Sequence, residues 1–265
     1  VMAMPELLTG TPFSEYQFEA TIANAFSLAI LQELNSRNVQ NPISLLRSEV
    51  LYHGTSKHAD VHINLSSLNI FNENFASYGF YQDNWLEAKF FRLSNSGQPN
   101  IPPLHSTYLL LKDVLRLCML VQDAPPGADS SSGRYLLHAY QDSPSQYLVY
   151  KRNSGGSRTE RAWLSPLITP GEQRLVISDL GKERTKSFES NVGKKAALYE
   201  VDAQITNFVH KPRTSSPNVY YIVLTRINDF KISKGNLSYG RNNGRTFGNL
   251  RFFQNLALSA DRRLA

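Results

Sequence analysis

Residues 84–92 read NWLEAKFFR, and the reading of this stretch decides the fold. Its aromatic content predicts a strand. Side chains alternate along a strand, so Glu87 and Lys89 share one face while Ala88 points into the core. Working outward, residues 58–65 (HADVHINL) predict a preceding strand that carries Asp60, and residues 47–53 (RSEVLYH) predict one before that. Upstream, Ser14 to Leu34 reads as a long helix. Ser14 caps it and Gln17 completes a capping box. Ile22, Ala23, Phe26 and Ile30 then fall at helical spacing as its apolar stripe. Downstream, His105 to Val121 predicts a helix, Arg134 to Gln141 a strand, and Gln146 to Lys151 a further strand. The order is helix, three strands, helix, strand. It predicts an α/β (α+β) fold in which a central mixed sheet is flanked by helices.

Beyond residue 160 the chain turns β-rich. Arg174 to Asp179, Ala197 to Phe208 and Val219 to Ile232 carry the β-branched and aromatic residues of strands. Gly235 to Asn249, with four glycines, reads as a mobile basic loop, and Leu250 to Leu258 as a short final helix. The expected organisation is a core over residues 1–152 and a β-rich extension over 153–265, which either stands apart or packs as one domain with the core.

Hydrophobic residues make up 41% of the 265, enough for a buried core and too many for a disordered chain. No apolar run reaches the roughly 18 residues of a membrane span. The first ten residues lack the pattern of a secretory signal. The single cysteine, Cys118, excludes an internal disulfide and a multi-cysteine zinc site, and the natural inference is a reducing, cytoplasmic setting. The net charge is +6, and its excess gathers at the C-terminus. From Lys231 onward seven basic residues (Lys231, Lys234, Arg241, Arg245, Arg251, Arg262, Arg263) face one acid, Asp261. That distribution fits a phosphate-backbone partner.

The face shared by Glu87 and Lys89 carries the chemical reading. Metal-assisted phosphodiester cleavage needs hard oxygen ligands to converge on a divalent cation. A nearby lysine can orient the attacking water and stabilise the developing charge. Glu-x-Lys places two such groups side by side, and Asp60 on the neighbouring strand supplies a second carboxylate. The motif is weak alone. With 22 acids and 11 lysines, chance placement gives about one acid-x-Lys match. A second match does occur, at Asp229-Phe230-Lys231. It too has an acid, Asp202, 27 residues upstream. Element order separates the two, because only the first pair lies on strands two and three after a long helix. Glu19 projects from the apolar side of the first helix, where a carboxylate needs a partner or a metal. Glu15, one turn earlier, is its substitute.

This order, with Asp60 in HADVHINL and Glu87-Ala88-Lys89 in WLEAKFF, resembles the PD-(D/E)XK nuclease superfamily, of which type II restriction endonucleases are the best-known members. The resemblance covers roughly Ser14 to Tyr150. It implies that Asp60 and Glu87 hold Mg2+, that Lys89 is the catalytic lysine and that Glu19 is the N-terminal helix glutamate. One departure is Ala59, which stands where the family name has proline. The resemblance further implies a double-strand cut in DNA, made by a homodimer. The β-rich half would then supply DNA contacts. Arg226, Lys234, Arg241, Asn242, Asn243 and Arg245 are the candidate side chains, since Arg can read guanine and Asn adenine in the major groove.

Rival readings stay open at this level. His58, Asp60 and His62 share a strand face, but the two histidines would lie about 13 Å apart, too far to bind one ion. Tyr52-His53-Gly54-Thr55 followed by Gly79-Phe80-Tyr81 resembles the start of an ADP-ribosyltransferase fold, which would imply an NAD-using enzyme. The bland reading of His53-Gly54-Thr55 is a turn that ends the first strand. A non-catalytic DNA-binding protein, with Glu87 and Lys89 merely structural, is the third reading.

Overall fold

The computed structural model describes residues 4, 19–68, 81–94, 96–101, 103–122, 132–148, 162–177, 200–211, 220–234, 236–242 and 245–248. Its centre is one open, mostly antiparallel sheet of nine strands with few helices. The first helix, α1 (Glu19–Ser36), is followed by β1 (Leu46–Leu51), β2 (His58–Asn64) and β3 (Asp83–Phe91). Next come α2 (Pro103–Leu120), β4 (Gly133–Gln141) and a short α3 (Pro144–Leu148). The second half contributes β5 (Gly171–Ile177), β6 (Glu200–His210), β7 (Tyr220–Lys234), β8 (Leu237–Asn242) and β9 (Arg245–Gly248). The strand order is β1-β2-β3-β4-β7-β6-β5, with β8 and β9 added alongside β7.

The hairpins run antiparallel, whereas β3 and β4 pair in parallel from Asn84–Gly133 to Phe91–Tyr140. A parallel pair needs a crossover, and α2 is that crossover. Alternation along β3 then sorts its residues into two cores. Leu86, Ala88 and Phe90 meet the α1 stripe of Ile22, Ala23 and Phe26 on one side. Phe91 faces the apolar residues of α2 on the other, with Trp85 packed beside it. Both faces of β3 are thus covered, and the face carrying Glu87 and Lys89 lies under α2 rather than in solvent.

The two halves share the sheet. β7 pairs with β4 from Tyr135–Arg226 to Gln141–Tyr220, so the C-terminal strands continue the N-terminal ladder. A fully buried polar chain crosses this seam. His138 Nδ1 meets the Tyr140 hydroxyl at 2.7 Å and its Nε2 meets Thr225 Oγ1 at 3.2 Å. Thr225 donates to Asn207 Oδ1, whose amide holds the carbonyls of Pro166 and Thr169.

Two sequence expectations are corrected. Residues 146–148 belong to α3 rather than to a strand, because Pro144 and the Ser143–Gln146 turn start a helical turn there. The basic segment after Lys234 is a β-hairpin, β8–β9, not a loop. Its glycines serve close packing. A Cβ on Gly240 would fall 2.0 Å from the Phe230 carbonyl oxygen, so only glycine lets β8 lie against β7. The expected capping box at Ser14 and Gln17, Glu15 and the final helix lie outside the described residues. Among the described residues no helix is long and apolar enough to cross a membrane.

Candidate active site

Asp60 sits where the β-ladder is interrupted on both sides. Between β1 and β2 the pairs Ser48–Val61 and Val50–Ala59 hold register while Glu49 and Asp60 drop out, and Glu49 has a left-handed φ of 53°. On the other side, β2 and β3 pair only from Asn64–Asp83 to Val61–Leu86. Beyond that point the Asp60 carboxylate, rather than a backbone carbonyl, accepts the Ala88 N–H at 2.6 Å. The side-chain alternation also breaks here, since Ala59 packs in the α2-side core and Val61 in the α1-side core. A half-buried carboxylate is thereby pinned beside the Glu-x-Lys strand.

Glu87 is 1% exposed and held at both oxygens. The Tyr52 hydroxyl donates to Oε1 at 2.6 Å, and Arg116 of α2 reaches Oε2 at 3.2 Å. Burial, then the charge of Asp113 close by, pushes its carboxyl up to about 8, with Arg116 opposing and Asp60 adding. Burial likewise raises the Asp60 carboxyl, against the Ala88 N–H and Lys89. Lys89 bridges the two helix layers. Its Nζ donates to Glu19 Oε2 at 2.9 Å and to the Ala88 carbonyl at 3.0 Å, and lies 3.2 Å from Asp113 Oδ2. Burial pulls this ammonium down, but Asp113, Glu19 and Asp60 outweigh it and the group ends above its ordinary value. Lys89 therefore carries a fixed positive charge at neutral pH. Its ladder partner His138 contributes none, because complete burial pushes the imidazole down to about 3.

Thus Asp60, Glu87, Lys89 and Glu19, picked from the sequence, come together. Three participants were not foreseen: Tyr52, Asp113 and Arg116. The last two lie three apart on α2, and Asp113 is 1% exposed. Two charged residues on the buried side of a helix are the signal that could have found them. The chain of contacts Glu19–Lys89–Asp113–Arg116–Glu87–Tyr52 alternates in charge and closes around the Asp60 gap.

Four carboxylates (Glu19, Asp60, Glu87, Asp113) and two cations (Lys89, Arg116) leave a formal charge of −2. Among the described residues no three His, Cys, Asp or Glu side chains stand close enough to hold a metal ion as placed. The donor chemistry nevertheless fits a hard divalent cation. All the acids offer carboxylate oxygen, burial and then the neighbouring Asp113 charge lift the Glu87 carboxyl, and buried Asp113 Oδ2, though 3.2 Å from the Lys89 ammonium, accepts no hydrogen bond.

The other sequence candidates separate clearly. The second Asp-x-Lys lies at the surface. Lys231 pairs with Asp202 across β6–β7, and Asp202 is bound by the exposed Arg174 at 2.9 and 2.7 Å. Arg241 is corrected as a DNA contact. It is 1% exposed, and its guanidinium donates to the carbonyls of Ser132 and Ile227 at 2.8 Å each. Arg226 is half-buried and donates to Asn228. Lys234 is half-buried at the end of β7 and Asn242 is exposed at the end of β8. Arg245 opens β9, and Asn243 lies outside the described residues. His53-Gly54-Thr55 forms a local turn between β1 and β2. Thr55 N donates to the Tyr52 carbonyl, and Gly54 adopts φ 71°. His62 packs tilted against Trp85, with ring centroids 4.3 Å apart, and lies 3.3 Å from Asp83.

No protein-family model matches the chain, nor does any curated protein or solved structure. The functional reading accordingly stands on the site itself.

Proposed function

We propose that the protein is a Mg2+-dependent endonuclease acting on double-stranded DNA, in the manner of a type II restriction enzyme working as a homodimer. The observation that carries this reading is the acid–lysine cluster. Asp60, Glu87 and Lys89 meet at a break in the β-ladder, inside a helix–three strands–helix–strand order, where carboxyls outnumber cations.

In this reading Asp60 and Glu87 hold the cation, which when bound polarises a phosphate and makes hydroxide accessible at neutral pH. The chain's own residues do the rest. Tyr52 orients Glu87 by donating to Oε1. Ala88 N–H orients Asp60. Lys89, held protonated by Glu19 and Asp113, acts by its charge. Glu19 and the Ala88 carbonyl take two of its three N–H groups, and the third donates to the phosphate oxygen that gains charge in the transition state. Lys89 is not the base that takes the proton. Asn242, exposed at the end of β8, and Lys234, at the opposite end of that strand where it pairs with Leu237, offer contacts to the duplex.

The test is digestion of plasmid and phage DNA by purified protein, with Mg2+ against EDTA and with Glu87→Ala in parallel. Discrete metal-dependent bands lost in the variant are expected, with the variant still shifting DNA in a gel. A smear would mean a nonspecific nuclease. No cleavage of unmodified or methylated DNA in several metals overturns the reading.

A further inference from the structure

We propose that Arg116 is the internal counter-ion of the site, standing where part of a divalent cation's charge would stand, and that Glu87 must leave it before such a cation binds. This rests on the nuclease reading and specifies how that site is regulated. Both acids that Arg116 touches belong to the cluster: Glu87 at 3.2 Å and Asp113 at 3.4 Å, each 1% exposed. Its other nitrogen donates to the carbonyl of His58, two residues before Asp60, at 3.0 Å. The guanidinium therefore spans Glu87, Asp113 and the His58 carbonyl. It is the more exposed member of these pairs, at 22%, so it has an outlet to water that the carboxylates lack.

A purely structural ion pair and a counter-ion predict opposite signs. If Arg116 only braces the site, its loss lets the buried acids disorder, and cation affinity falls. If it competes with a cation for Glu87, linkage requires that its loss strengthen cation binding. A buried Glu87 carboxylate is ionised only beside a compensating cation, so Arg116 and a bound metal ion compete for it.

The measurement is titration of the full-length protein with Tb3+, a hard-oxygen probe, with Mg2+ as competitor. Tyr52 and Trp85, stacked at 5.1 Å, provide sensitised emission close to Glu87. Arg116→Gln is expected to bind Tb3+ about tenfold or more tightly than the wild type, since one unit charge at this range is worth at least ~1.4 kcal/mol. Arg116→Lys is expected to lie between them, because a single ammonium cannot span Glu87, Asp113 and the His58 carbonyl together. Glu87→Gln is expected to bind weakly. Far-UV circular dichroism checks folding, and if Arg116→Gln does not fold, Arg116→Lys carries the comparison. Equal or weaker binding by the folded Arg116 variant, with Tb3+ still bound by wild type, overturns the counter-ion role and leaves the nuclease reading intact. Absence of Tb3+ binding from every form overturns both.

Discussion

Glu87 shows how burying one carboxyl weakens the fold. Its carboxyl is lifted from 4.5 to about 8. The folded state therefore holds a proton that the unfolded chain has already released. Below pH 4.5 both states are protonated and no penalty exists. Between 4.5 and 8 stability falls as pH rises, and above 8 the whole penalty is present. Glu87→Gln removes that titration. The variant-minus-wild-type difference in unfolding free energy, measured in urea across pH 4 to 9, is expected to shift in the variant's favour by on the order of a few kcal/mol. A flat difference would show that Glu87 is ionised throughout. Glu87 and Lys89 were legible because strand alternation puts them on one face, Asp60 because it falls on the preceding strand, and Glu19 because it projects from the apolar side of a helix. Arg241 misled for a complementary reason. A basic residue in a glycine-rich, polar segment reads as surface, and nothing local reveals that its partners are carbonyls over 100 and 14 residues away.

At the scale of elements, the helix–three strands–helix–strand order was legible nearly to its ends. Each of those elements carries its own period: the α1 stripe, the buried run of β3, the apolar length of α2. The hairpin β8–β9 was not, because glycines signal turns when read locally. Here Gly240 serves contact instead, with backbone atoms of β7 directly beneath it. Gly240→Ala is expected to cost about 1–3 kcal/mol and lower the melting temperature by several degrees. An unchanged melting temperature would mean the hairpin does not press against β7. α3 escaped for another reason. Five residues are too few for any period to show, and a proline start decides the matter.

For the whole molecule, the boundary near residue 152 expected from composition does not divide the sheet. β4 lies between β3 and β7, and the core beneath α2 takes Leu136 and Tyr140 from one half and Val201, Ile205 and Val223 from the other. Such pairing is invisible to sequence reading, since it joins strands by register rather than by neighbourhood. The expected outcome is a single cooperative unfolding transition for the full chain, seen alike by circular dichroism and by tryptophan fluorescence. Residues 1–152 made alone are expected to be unfolded or insoluble, because β4 would lose one partner and α2 much of its cover. A soluble, well-folded fragment, or two separate transitions, would restore the two-domain division.

The seam between β4 and β7 also sets a timetable. Ala139 waits for Ile222, 83 residues further along the chain. At the usual 5–20 residues per second of translation, that interval lasts roughly 4–17 s. For those seconds every residue of the acid–lysine cluster has been made, yet the central strand beside it is an open edge, the kind that other chains join. Shortening the stretch between β4 and β7 would shorten that exposure in proportion.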